Sequence, residues 1–372
     1  MNEQLKYYPL EEIENYKVLG RTNEDRFPLA LFWNNSGIEV NVDGSELWID
    51  LEVGNDFFEP WVASELNGAL MSRQMLLEGE HSICLFRSMI KGVKKNVKFY
   101  RELQALCDNL NCHVLVKGFR TDGNFLPVEK GRVNIEFLGD SITSGEGTYG
   151  AVGDAEWLPM YMSSSRNYAN MIGHNLNADI RLVSSGGWGF YSGWDNDTRH
   201  TIPSVYEKVC GISTGPVNEA LGSLNDYDFS SFETDAVVIN LGTNDASAFD
   251  QPAFDVPGVG PKKLRRNEDG TLNEDDCDML SSAVCDFLKV VRKNNPKAHI
   301  VWCYGMFGCE LGLTISRGVS KYSMETNDRN VGYITLANTG ENEYGSRFHP
   351  GLVVHEKAAA VLTDYLKQKL HI

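Results

Sequence analysis

VNIEFLGDSITSGEG, residues 133 to 147, runs from an apolar, β-prone segment straight into Gly139-Asp140-Ser141 and then into small, glycine-rich chain. A near-continuous apolar run bounded by turn residues reads as a strand buried on both faces. Strands of that kind belong to parallel sheets, which are built from repeated strand–helix units. Ser141 leaves the strand at a sharp bend, so its hydroxyl can face a cleft.

The chain downstream repeats the pattern. RNYANMIGHNL reads as a helix and IRLVSS as a strand; TDAVVINLG, HIVWCYG and VGYITLA are further apolar strands at α/β spacing. Met279, Leu280, Ala283, Val284, Phe287, Leu288 and Val291 share one face of a helix closed by Asn294-Asn295-Pro296. A last helix is expected from Pro350, burying Ala358, Leu362, Tyr365 and Leu366. The fold class is therefore α/β, a three-layer α/β/α domain with a parallel sheet and functional residues at the carboxyl ends of its strands. The loop from Asp250 to Asn273 is long for such a connection and could wall a cleft. Its Lys262–Arg266 run, KKLRR, reads as a solvated face.

Upstream the period changes to two. Ile38, Val40 and Val42 alternate with polar or small residues, as do Leu47, Ile49, Leu51 and Val53. HSICLF, NVKFY and HVLV are similar short runs separated by turn material. Many short strands without a long helical pattern predict an antiparallel β-sandwich or jelly roll. Gly123, Pro127 and Gly131 mark the junction, giving a sandwich domain over residues 1–125 and an α/β/α domain over 126–372.

The formal net charge of −17 argues against a nucleic-acid or anionic-membrane partner, since both are held by clustered Lys and Arg. No run approaches the roughly 20 apolar residues that span a bilayer. The N-terminal MNEQLKYYPLEEIENYKVLG lacks a basic start and apolar h-region, so a cytoplasmic location is expected. The eight cysteines form no CxxC pair and no zinc-ligand spacing, which fits reduced thiols in that compartment.

Four strand ends carry candidate chemistry: Gly139-Asp140-Ser141, VSSGGWG with Gly187, LGTND with Asn244, and RFHPG with His349. Serine is a weak nucleophile at neutral pH and needs an adjacent base, most often His. The oxyanion formed when it attacks an ester needs preorganised N–H donors. Gly187 can present a bare backbone N–H, the Asn244 amide supplies a second donor, and the Ser141 N–H a third.

Together, Gly139-Asp140-Ser141, Gly187, Gly242-Thr243-Asn244-Asp245 and His349-Pro350 resemble the four blocks of the SGNH, or GDSL-type, hydrolase superfamily. The LFWNNSGIEV segment and Glu59-Pro60-Trp61 in a sandwich ahead of such a domain resemble carbohydrate esterase family 2. That resemblance implies removal of O-acetyl groups from xylan- or mannan-type oligosaccharides. It implies Ser141 as nucleophile and His349 as general acid/base, with Ser141, Gly187 and Asn244 as the oxyanion hole. It implies no metal and no organic cofactor.

One position departs from the superfamily pattern. Most SGNH enzymes carry Asp three residues before the catalytic His, whereas this chain has Ser346. The same loss is known in carbohydrate esterase family 2, where a main-chain carbonyl orients the ring. A Ser141–His349 dyad oriented by the carbonyl of Phe348 is expected, with Glu341 and Glu343 as rival orienting groups. Asp140 and Asp245 read as loop-tying residues and His355 as a packing histidine. Trp188, Trp194, Met306 and Phe307 follow strand ends and are candidate sugar contacts, Trp188 foremost because it adjoins Gly187. The expected partner is an acetylated oligosaccharide. Two rivals remain, a general short-chain acyl-ester hydrolase of the lipase or thioesterase type and an inactive carbohydrate-binding protein.

Overall fold

Alternating apolar residues in the N-terminal half build two antiparallel sheets. The computed structural model describes residues 5–372. One sheet runs Lys6–Pro9, His113–Thr121, Leu47–Gly54, Gly79–Phe86, with Leu29–Ala30 also paired to His113–Thr121. The other runs Phe125–Leu126, Gly37–Val42, Lys95–Arg101, Trp61–Leu66, Ala69–Met75, with Lys17–Leu19 on Gly37–Val42. Ile38, Val40 and Val42 of one sheet and Leu47, Ile49, Leu51 and Val53 of the other enter a single core with Val97, Phe99, Val114 and Val116. Each such buried aliphatic side chain contributes roughly 1.5–3 kcal/mol. A one-residue slip of Leu47–Gly54 would turn Trp48, Asp50 and Glu52 into that core, so the register is firmly set.

The second half is a parallel sheet in the order Ala178–Ser184, Val133–Gly139, Ala236–Asn240, His299–Tyr304, Val331–Thr335. Tyr168–Leu176 and Leu352–Leu370 cover one face through a core that includes Ile135, Phe137, Tyr168, Ile172, Val238, Ala358 and Leu362. Glu274–Asn294 buries Leu280, Val284, Phe287, Leu288 and Val291, and Phe287 meets Trp302 of the sheet edge-on. That helix starts at an Asn273 cap with three acidic residues in its first turn and ends with Arg292 and Lys293 in its last, which complements the helix dipole.

The compact units are residues up to Gly131 with Leu158–Ser165 and Lys208–Tyr227, and Arg132–Trp157 with Arg166–Glu207 and Asp228–Ile372. Three features of the α/β unit differ from the sequence reading. Helix Gly312–Thr326 has no clear sequence signature; a Cβ on Gly318 would lie 2.6 Å from the Ser281 carbonyl oxygen, so glycine lets it approach Glu274–Asn294. The last helix begins at Leu352, because Pro350 is held in a bridge with Tyr344 and Gly351 serves as the cap. The long loop folds into a hairpin, Phe254–Val256 with Gly260–Lys262. The basic run beyond it is partly solvated, with Lys263 and Arg265 exposed, but it also pairs within the chain: Leu264 is buried, Arg265 pairs with Asp276, and Arg266 bridges Asp250 and Glu310. Among the described residues, no helix is long and apolar enough to cross a membrane.

Candidate active site

Strand register sets the site. Gly139 lies opposite Ser184 on one side and Asn240 on the other, so three strand ends finish level. At Gly139 the chain doubles back so tightly that a Cβ would fall 1.9 Å from Thr143 Oγ1. Asp140 caps the turn that follows, its Oδ1 accepting the Ile142 N–H at 3.0 Å. Ser141 opens a single helical turn, Ser141–Ser144, which Gly145 ends in the left-handed region at φ +84.

His349 arrives from the far end of the chain on a 3-10 turn, Ser346–Phe348. Arg347 and Phe348 both hold left-handed φ values, +51 and +57, at a cost of order 1–2 kcal/mol each for residues with a Cβ. Surrounding bonds hold that strain. Arg347 N–H donates to the Asp154 carbonyl at 2.8 Å, Gly345 N–H to the His349 carbonyl at 2.8 Å, and Ser346 Oγ to the Tyr149 carbonyl at 3.1 Å. Gly345 and Gly147 pass so closely that a Cβ on Gly345 would lie 1.8 Å from the Gly147 oxygen.

This loop brings His349 Nε2 to 3.0 Å from Ser141 Oγ. The other ring nitrogen, Nδ1, lies 3.2 Å from the carbonyl oxygen of Arg347. A carbonyl only accepts, so Nδ1 carries the proton and Nε2 is free to receive one from Ser141. The orienting carbonyl is thus that of Arg347, and the expectation of Phe348 is corrected. The left-handed pair at 347 and 348 folds the chain back so that the carbonyl two residues before His349 faces its ring. Phe348 itself is 59% exposed. Neither rival carboxylate is engaged there: Glu343 pairs with Lys357 and accepts the Gly340 N–H, and Glu341 is exposed. The Phe307 ring packs over the imidazole at 5.4 Å.

Gly187 takes φ +81, which favours glycine. A Cβ there would meet Trp194 Cδ1 at 3.2 Å, so the Trp194 indole lies against this residue. Asn244 Nδ2 donates to the Trp188 carbonyl at 2.9 Å, which leaves its second amide hydrogen available. Asp245, fully buried, accepts the N–H groups of Phe190 at 3.0 Å, Tyr191 at 2.8 Å and Ser192 at 3.0 Å. The loop that bears Gly187 and the turn that bears Asn244 are therefore joined. Burial pushes the Asp245 carboxyl up to about 6 against the pull of those N–H donors. Burial likewise lifts Asp140 to about 7, opposed by the Ile142 N–H and assisted by the Asp245 and Glu146 charges.

The candidate sugar contacts divide. Met306 is completely buried in the α/β core and presents nothing to a ligand. Trp188, the foremost expectation, is buried too, stacked on His200 at 5.2 Å. Trp194 is 49% exposed beside Gly187 and is the indole with a free face. His355 is buried beneath the site. Its Nδ1 accepts the Tyr168 N–H at 3.1 Å, and desolvation lowers its pKa to about 3, so it is neutral.

Sequence reading missed Glu146. It sits between Gly145 and Gly147, both left-handed, and is buried. One oxygen pairs with the Arg347 guanidinium; the other lies 3.6 Å from His349 Nε2. The only signal was an acidic residue in a glycine-rich turn after the serine. Among the described residues, no group of three or more His, Cys, Asp or Glu is placed to hold a metal ion.

The geometry agrees with the comparisons. The model of the GDSL-like lipase/acylhydrolase family matches residues 135–362. An acetyl xylan esterase (Est2A) from the rumen bacterium Butyrivibrio proteoclasticus is 52% identical, with a TM-score of 0.97 and 99% of each chain covered. A family two carbohydrate esterase from Clostridium thermocellum, solved with cellohexaose, shares the fold at 23% identity and TM-score 0.78, over 96% of this chain and 99% of that one. The cellulase/esterase CelE of Acetivibrio thermocellus is 25% identical over 348 residues; the match covers 91% of this chain but only 37% of that longer protein. With a serine at the first strand end, a histidine on it and a match that spans most of the chain, this protein belongs to the GDSL-like lipase/acylhydrolase family and resembles the family 2 carbohydrate esterases over nearly its whole length.

Proposed function

We propose that this chain is a carbohydrate O-acetyl esterase acting on acetylated hemicellulose oligosaccharides of the xylan or mannan type. The observation that carries the reading is the Ser141 Oγ–His349 Nε2 hydrogen bond of 3.0 Å, with Nδ1 on a carbonyl. The likeness to an acetyl xylan esterase supports the substrate class.

In this reading His349 Nε2 takes the Ser141 proton as Oγ bonds to the acetyl carbonyl carbon. The carbonyl electron pair moves onto oxygen, and the Ser141 and Gly187 N–H groups and the Asn244 amide hold the oxyanion. Removing one donor of this kind typically costs about 3–4 kcal/mol of transition-state stabilisation. Collapse breaks the bond to the sugar oxygen, which receives the proton from His349, leaving acetyl-Ser141. Water then adds with its proton passing to His349; acetate leaves, and Ser141 recovers its proton. Trp194 offers a stacking face to a sugar ring next to the reacting group. Eight cysteines outside any disulfide suit a reducing compartment, so we propose that the reaction takes place in the cytoplasm on short oligosaccharides.

The test is acetate release from defined acetylated xylo- and manno-oligosaccharides, followed by mass spectrometry that resolves which acetyl leaves. Loss of acetyl in the wild type and none in Ser141→Ala is expected. A preference for octanoyl over acetyl esters of the same alcohol would replace the reading with a general acyl-ester hydrolase.

A further inference from the structure

Loss of the usual aspartate leaves an electrostatic question. When His349 takes the serine proton it becomes an imidazolium, and the Arg347 carbonyl on its Nδ1 side stabilises that charge less than a carboxylate would. The nearest carboxylate stands on the opposite side of the ring. Glu146 Oε2 lies 3.6 Å from Nε2, the nitrogen that receives the proton. Glu146 is 5% exposed and His349 13%, by side chain, so water screens this approach little.

Glu146 is held for that position. The turn is closed by its own N–H, which donates to the Ser141 carbonyl at 3.0 Å, and is flanked by two left-handed glycines. Its other oxygen receives the Arg347 guanidinium. Arg347 therefore acts twice: its carbonyl fixes the Nδ1 proton, and its side chain anchors the carboxylate that faces Nε2. Two further titratable groups face this pair: His355 on the last helix, which is neutral, interacts with His349, and Asp140 on the nucleophile turn interacts with Glu146; the ring packed against the imidazole, Phe307, is apolar.

We propose that Glu146 is a positioning residue that replaces the missing aspartate from the Nε2 side, and that Arg347 limits its strength. Beside neutral His349 the carboxylate faces a lone pair, which is unfavourable; beside the imidazolium it faces a positive charge, which is favourable. It thus stabilises, across 3.6 Å, the imidazolium that forms as Ser141 is deprotonated. Unopposed, the same carboxylate would hold the proton too firmly for transfer to the leaving sugar oxygen. The guanidinium on its second oxygen tempers that pull.

This inference rests on the Ser141–His349 reading, and the experiment separates the two. The pH dependence of kcat/KM for a small aryl acetate is measured in the wild type, Glu146→Gln and Arg347→Met, with Ser141→Ala as control. The 13C titration of the His349 ring is followed in the same proteins. Glu146→Gln should move the acid limb, and the ring titration, to lower pH and lower plateau kcat/KM about tenfold. Arg347→Met should move both up, because it unmasks the carboxylate. If Glu146→Gln does not fold, the upward shift in Arg347→Met still decides. Limbs and ring titrations that stay in place, or move the same way in both variants, overturn the role of Glu146. Activity surviving in Ser141→Ala overturns the underlying reading instead.

Discussion

Asp245→Asn tests how the loop that bears the proposed oxyanion donor Gly187 is held. The carboxylate is fully buried and receives three N–H bonds, from Phe190, Tyr191 and Ser192. Desolvation nevertheless dominates and lifts it from the ordinary 3.8 to about 6. At about 1.4 kcal/mol per pH unit, holding this group charged costs the native state about 3 kcal/mol at neutral pH. The sign follows from linkage: a carboxyl with a raised folded pKa contributes stability that is fully present below 3.8 and is lost as pH rises through about 6. Asparagine keeps the shape and one oxygen, enough for Tyr191 and Ser192, but turns its NH2 toward the Phe190 N–H. Leaving that donor unsatisfied costs about 1–3 kcal/mol, while the buried charge is gone. Urea unfolding at a series of pH values between about 4 and 7 should therefore show the wild type losing about 3 kcal/mol relative to Asp245→Asn. Relief of the neighbouring Asp140 in the variant adds to the difference with the same sign. At neutral pH kcat should fall about tenfold or more, because the Gly187 loop is no longer fully tethered. A wild type that gains stability relative to the variant over this range would show that the N–H donors outweigh burial, and would refute the reasoning.

Other consequences are as direct. Gly187→Ala places a Cβ at φ +81, 3.2 Å from Trp194 Cδ1; displacement of the proposed oxyanion donor should lower kcat about 100-fold or more with little change in KM. Trp194→Ala should raise KM for an acetylated oligosaccharide about fivefold, the loss of roughly 1 kcal/mol of stacking, and leave a small aryl acetate unaffected; equal effects on both substrates would remove the platform. Buried His355, lowered to about 3, contributes stability that is present above its ordinary 6.5 and lost as pH falls toward 3. His355→Gln should flatten that acid-side decline, measured by thermal unfolding.

The parts of this molecule that are periodic were legible in its sequence. Alternation at Ile38–Val42 and Leu47–Val53 foretold the antiparallel sandwich, and the apolar runs at Val133 and Ala236 foretold the parallel sheet, because burial on one face or two leaves different patterns. Ser141, Gly187, Asn244 and His349 stood out because each is a reactive or small residue at the end of such a run. The Arg347 carbonyl left no trace, since every residue has a carbonyl and only the left-handed φ values at 347 and 348 aim this one. Glu146 was hidden for a related reason: its role depends on a partner some two hundred residues away. Trp188 and Trp194 flank the same loop, and sequence adjacency to Gly187 favoured the buried one; Trp188 stacks on His200, whereas Trp194 is exposed.

The central claim is that acetyl passes through Ser141. Intact-mass and peptide mass spectrometry on enzyme quenched during turnover of an acetylated xylo-oligosaccharide tests it most directly. The account predicts an acetyl group on the peptide that contains Ser141, absent from Ser141→Ala and accumulating when His349 is replaced after acylation is forced by an activated aryl acetate. Acetate released at the wild-type rate by Ser141→Ala, or turnover with acetyl found on another residue, would contradict it.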